Sequence, residues 1–144
     1  LYLAFGSKDA LYKAALSYYT HNCVAEIKTT IESAPSAEEG ICQILLAMLK
    51  DTQNYDYCSC FLVKSQLELS GTQNTLLSDV QEQLQIIEGT YCHYLAKDMS
   101  RNAAKIKASS LMMAIFGLRV YGYIDQDSKK MLTALKTNLT WLPW

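Results

Sequence analysis

The side chains with the most obvious chemical potential are the thiols of Cys23, Cys42, Cys58, Cys60 and Cys92 and the imidazoles of His21 and His93. Cys58-Ser59-Cys60 places two thiols within three positions, just ahead of the apolar run Phe61-Leu62-Val63. A metal centre would need further ligands at fixed spacing. The solitary histidines do not supply them and no Cys-x-x-Cys pair occurs, so no metal site and no cofactor are expected. Two cysteines at a helix start can instead acquire lowered pKa values and respond to oxidants or electrophiles. Inert buried thiols are commoner. Cys92-His93 looks like a nucleophile beside its base, but neighbours on a helix point about 100° apart and cannot pair. No Ser-His-acid set, spaced carboxylate pair or Gly-rich phosphate loop is recognisable, and nothing argues for an enzyme.

Ten tyrosines, five methionines and five cysteines exceed what a plain aliphatic core uses. Most will simply pack. A sharper reading is a ligand cavity, because Tyr gives an apolar wall with an orienting hydroxyl and Met adapts to a guest's shape. Helical faces nominate Tyr18 and Asn22 on a first helix, Tyr91 and Tyr94 on a long middle one, and Met112, Met113 and Phe116 on the next, with His21 and Cys58 as outlying candidates. Few formal charges fall on these faces. The expected ligand is therefore small, largely apolar and aromatic in character.

The elements that must position these residues are helices. Only two prolines and six glycines occur, with abundant Leu, Ala, Lys, Gln and Ile, which gives an all-α reading. At 144 residues the chain fits one domain with a substantial core. A net charge of -1 and a pI near 6.1 mean that this stretch by itself is no nucleic-acid binder. The odd number of cysteines and the lack of a recognisable signal peptide point to a reducing cytoplasm. The longest apolar run, Ala108 to Ile124, is interrupted by Ser109, Ser110, Gly117, Arg119 and Gly122 and is too short for a comfortable membrane span.

Periodicity and caps predict helices over Lys8 to about Ser33, from Ser36 (N-cap, with Glu39 three residues on) to about Lys50, from Gly71-Thr72 to about Lys97, and from about Asn102 to Tyr123. A final one starts near Asp125 to Ser128 and carries Leu135, Leu139 and Leu142. The helix over Leu111 to Ile124 is apolar nearly all round. Such a helix is covered on several sides.

The opening residues, LYLAFGSKDALYKAAL, read as the tail of one helix, a break at Gly6-Ser7, and a second helix capped by Ser7 with Asp9 in its first turn. Tyr2, Phe5, Ser7, Lys8, Asp9 and Leu11 fall in register with a motif of TetR-family transcriptional regulators, at the end of the recognition helix and the start of the connecting helix, and this junction closely resembles it. Ala4 departs from the motif, where the family carries an aromatic residue or His. Ser59-Cys60-Phe61-Leu62-Val63 followed by Glu68-Leu69 resembles a second family run, with Ser59 in place of Gly. Gly117-Leu118-Arg119 and the Leu-rich last helix resemble the two dimerisation helices.

The resemblance implies a TetR-like helical regulatory domain that dimerises through a four-helix bundle of its last two helices. Residues 1-7 would be the tail of a helix-turn-helix head whose remainder lies upstream, and 8-144 the ligand-binding and dimerisation domain. Tyr2 and Lys8 would contact operator phosphates. Leu111, Gly117, Leu118, Tyr121, Leu135 and Leu139 would meet the second subunit. The function implied is a ligand-responsive repressor released from DNA by a small effector. Two alternatives stand beside it: the same scaffold as a thiol sensor through Cys58 and Cys60, and a helical adaptor without a DNA target.

Overall fold

A computed structural model describes residues 2–54, 56–124 and 127–144, apart from the side chains of Tyr2 and Leu3. The described residues are all-α: α1 (Tyr2–Phe5), α2 (Lys8–Ser33), α3 (Ala37–Asp51), α4 (Phe61–Leu69), α5 (Leu76–Leu95), α6 (Arg101–Tyr121) and α7 (Ser128–Asn138). Polar caps set most of the starts. The Ser7, Ser36 and Ser100 hydroxyls accept from the backbone N–H groups of Ala10, Glu39 and Ala103 at 3.0, 3.1 and 3.2 Å. Between α1 and α2 the chain reverses at Gly6, whose φ of 84° lies in the left-handed region that suits glycine.

Two boundaries differ from expectation. α5 begins at Leu76 instead of Gly71-Thr72, because Gly71 takes φ 76° and the next residues fold into a turn. Thr72 Oγ1 donates to the Leu69 carbonyl, and Asn74 Oδ1 accepts from the Leu76 N–H. α7 stops at Asn138, so Leu139 and Leu142 lie beyond it. The tail turns back, held by the Trp144 indole N–H donating to the Leu139 carbonyl at 2.9 Å. For the start of that helix, Asp125 and Gln126 lie outside the described residues. Asp127 is the cap, its Oδ1 accepting from the N–H groups of Lys129 and Lys130.

α2 is the central rod, packing on α3, α5 and α4, while α5 packs on α6 and α7 rests on α3 and α6. Where α2 meets α3 the backbones touch. A Cβ at Gly40 would come within 2.7 Å of Ile31 Cα, so only glycine permits this approach. The main core includes Leu16, Ile41, Leu45, Leu62, Tyr91 and Leu95, each at most 1% exposed. A smaller cluster of Leu49, Leu118, Met131 and Leu135 docks α7. Of the residues expected at a subunit interface, Gly117 and Tyr121 are exposed, Leu118 and Leu135 are buried in the smaller cluster, and Leu111 and Leu139 are fully buried in the chain's own main core. The last two occupy the inward row of their segments and leave nothing for a partner to touch. No helix among the described residues is long and apolar enough to cross a membrane.

Candidate ligand-binding site

α6 explains the architecture of the site, because its apolar residues divide into three rows. Ala104, Ala108, Leu111, Ile115 and Leu118, spaced four, three, four and three, are buried against the core. Met112, Phe116 and Arg119 form a second row, facing a cavity of about 530 Å³. Ile106, Ser110, Met113, Gly117 and Tyr121 form a third, on the outer surface beside α7. All-round apolarity therefore has three separate causes.

The cavity lies between α2, α3, α5 and α6, with Cys60 and Val63 closing one side. α2 contributes Tyr19, Cys23, Glu26 and Thr30, again at helical spacing, and α5 contributes Leu84, Ile87 and Tyr91. Exposed Glu26, Thr29, Gln43 and Asp51 edge its mouth. The Cys60 wall is held by a strap. The Ser59 backbone N–H donates to the Tyr123 hydroxyl at 2.8 Å, and the Ser59 hydroxyl donates to the Arg119 carbonyl at 2.7 Å. Phe61 anchors the same wall between the rings of Tyr12 and Tyr19, at 5.7 and 5.8 Å between centroids.

Of the nominated lining residues, Tyr91, Met112 and Phe116 reach the cavity. The rest point elsewhere. Tyr18 is 71% exposed and Asn22 is exposed on the same outer side of α2. The cavity row is Tyr19–Cys23, one position over, which on a helix is a rotation of about 100°. Tyr94 is buried but sends its hydroxyl to Glu32 Oε1 at 2.9 Å. Met113, 77% exposed, belongs to the outer row. His21 and Cys58 are exposed and do not line the cavity. At the junction, Lys8 is exposed at the start of α2, and the Tyr2 side chain lies outside the described ones.

The two thiols of Cys58-Ser59-Cys60 meet different environments. Cys58 is exposed with Lys64 Nζ 3.7 Å from its sulfur, whereas Cys60 sits in the cavity wall within hydrogen-bonding reach of the Tyr19 phenol. Among the described residues no group of three or more His, Cys, Asp or Glu side chains is placed to hold a metal ion.

Arg119 is the residue that sequence reasoning missed. Its side chain is 14% exposed, yet it lines an otherwise largely apolar cavity. Burial works against its charge, but the Tyr57 phenol and then the Cys60 thiol outweigh burial and leave its pKa raised. It is a cation at every working pH. The available signal was its position three after Phe116 and seven after Met112.

Burial, reinforced by Cys60, pushes the Cys23 thiol up to about 11 from 9.0. Tyr19 and Tyr91 are raised well above the ordinary phenol range, again by burial first and neighbouring thiols next. A raised folded-state pKa contributes stability that is complete below the unfolded value and disappears as pH climbs through the folded one. The fold should therefore hold its urea midpoint up to about pH 9 and lose it steadily towards pH 11, with the cavity phenols ionising only as the chain unfolds. Denaturation curves across that interval, with tyrosinate absorbance as the second probe, check this. A flat midpoint would refute it.

No protein-family model matches the chain, and no curated protein or solved structure does either.

Proposed function

We propose that this chain is the regulatory and dimerisation part of a ligand-responsive DNA-binding transcriptional regulator of the TetR type, acting as a repressor homodimer. One observation carries the reading. α2 is a single helix of 26 residues whose first turn abuts the α1 junction and whose middle, from Tyr19 to Thr30, forms a wall of the cavity. At about 1.5 Å per residue it is a rod of roughly 39 Å. A guest that displaces its middle must move its N-terminal end, where the head would attach. Two heads set in successive major grooves would then lose their spacing, and the operator would be released.

The outer row of α6 supports the dimer. With α7 it frames an open groove of about 920 Å³ that includes Ile106, Met113, Gly117, Tyr121, Ala134 and Leu135. Ile106, Met113 and Tyr121 are 64, 77 and 44% exposed, a run of large apolar side chains that a second copy of α6 and α7 would cover. Gly117 has open space around it, as close helix approach requires.

The test is fluorescence anisotropy, on DNA flanking its gene and at two salt concentrations, of this chain together with whatever its gene encodes ahead of Leu1. Saturable, salt-sensitive, sequence-selective binding is expected, and residues 1–144 alone should not bind. Absence of selective binding would move the reading to a helical adaptor whose partner takes the α6–α7 groove.

A further inference from the structure

On the reading that the α2–α3–α5–α6 cavity is the effector site, its two thiols narrow the class of guest. We infer that the effector is a trivalent organoarsenical, its arsenic bonded to the sulfurs of Cys23 and Cys60 and its hydrocarbon group lying among Tyr91, Met112, Ile115 and Phe116.

The thiols that the fold brings together are not the ones the sequence sets side by side. Cys58 is exposed beside Lys64, whereas Cys60 lines the cavity, and there its companion is Cys23 from the middle of α2. Phe61, next to Cys60 in the chain, fixes this meeting by docking between the Tyr12 and Tyr19 rings, with centroids 5.7 and 5.8 Å away. Cys23 lies one helical turn beyond Tyr19 on the same row of α2. Both thiols are thereby brought within hydrogen-bonding reach of a single group, the Tyr19 hydroxyl. Both cysteines are only partly buried. Cys42, Cys58 and Cys92 do not line the cavity.

The chemistry of the pair selects the guest. Two sulfurs are too few for a zinc site, which takes four ligands. They suit a soft centre that needs only two. An arsenoxide meets that need without any redox partner: each thiol gives its proton to the arsenic-bound oxygen, two As–S bonds form, the As=O bond is lost and one water leaves. Arsenic stays trivalent and the product is neutral. Burial holds the Cys23 thiol up at about 11, and condensation consumes its proton, whereas alkylation or peroxide attack needs the thiolate. A bare soft ion would use the same sulfurs but leave most of a cavity of about 530 Å³ unfilled. The third bond of arsenic carries an organic group, and the lining along α5 and α6 beyond the thiols is largely aliphatic, aromatic or thioether. A bridge between the two sulfurs also competes with the Tyr19 phenol, so it acts on the middle of the α2 rod.

The test uses phenylarsine oxide on residues 1–144, read by intact mass. One equivalent should bind, resist an excess of the monothiol glutathione and come off with the dithiol dithiothreitol. Cys23→Ala and Cys60→Ala should each weaken binding about 100-fold or more, because the second bond to a chelated centre forms at the effective concentration of an attached group. Cys58→Ala should bind as the parent does. Melting of each variant checks the fold, and a measurement on the parent needs no substitution: the bound arsenical should shield Cys23 and Cys60, and no other cysteine, from iodoacetamide. An adduct that glutathione removes, shielding of a different pair, or undiminished binding by either cavity variant would overturn the inference. So would silver ion occupying the same two thiols while phenylarsine oxide does not, which would make this a site for a bare soft ion. The regulator reading fails separately, if the arsenical binds with this dependence yet leaves operator binding unchanged for this chain together with whatever its gene encodes ahead of Leu1.

Discussion

Leu111→Ala should lower folding stability by roughly 3 kcal/mol, within the range seen for buried Leu→Ala changes. Leu111 is fully buried in the main cluster, on the same α6 row as Ala104 and Ala108. Those two small neighbours cannot swing in to fill the space, so the transfer loss and the cavity term both apply. Against a total of about 5–15 kcal/mol this is a large share. The melting temperature should fall by roughly 10 °C for a chain of this size. In urea the midpoint should drop with little change in slope, since the surface exposed on unfolding is nearly the same. A loss below about 1 kcal/mol would instead place Leu111 on an exposed face.

Gly117→Arg is expected to do the opposite, sparing the fold and removing the proposed dimer. A Cβ at Gly117 meets nothing within 4 Å, so the larger side chain extends freely from the outer row. Replacing a mid-helix glycine should even stabilise α6 by up to about 1 kcal/mol. In the proposed four-helix bundle the same position lies where two copies of α6 approach. An unpaired guanidinium there costs several kcal/mol, so the dimer dissociation constant should rise about 100-fold or more. Light scattering across a concentration series reads this directly, with melting of the monomer as the fold control. A parent chain that is monomeric at high concentration, or a variant that dimerises as well as the parent, would remove the bundle from the proposal. The two changes also interlock. Placed on the Gly117→Arg background, Leu111→Ala should cost as much as it does alone, because one residue serves the core and the other an outer surface.

Helix content, most of the boundaries and the caps at Ser7, Ser36 and Ser100 follow from local rules acting within four residues, and these were readable directly. The start of α5 was less so. Asn74 and Thr72 compete for backbone groups through side-chain hydrogen bonds, and such competition delays a helix that periodicity alone would begin earlier. Three cavity residues, Tyr91, Met112 and Phe116, were also accessible from their rows.

Which row faces what was a different matter. α2 offers two apolar rows one residue apart, Leu11-Ala15-Tyr18 and Tyr12-Leu16-Tyr19-Cys23-Ile27, and local sequence assigns no environment to either. The contacts with Phe61 on α4 turn Tyr19 inward and leave Tyr18 in solvent. On α6, Leu111 and Met113 are two residues apart and equally apolar, yet one is enclosed and the other faces outward. Arg119 shows the same limit for charge. By itself an arginine near a helix end reads as a surface group, and only the meeting of α2, α3, α5 and α6 encloses it. The chain alone thus determined that it is a helical protein with more apolar surface than one core needs. The tertiary structure decided how that surplus divides among core, cavity and outer groove, because the facing of a helix is fixed by neighbours distant in sequence and not by its own period.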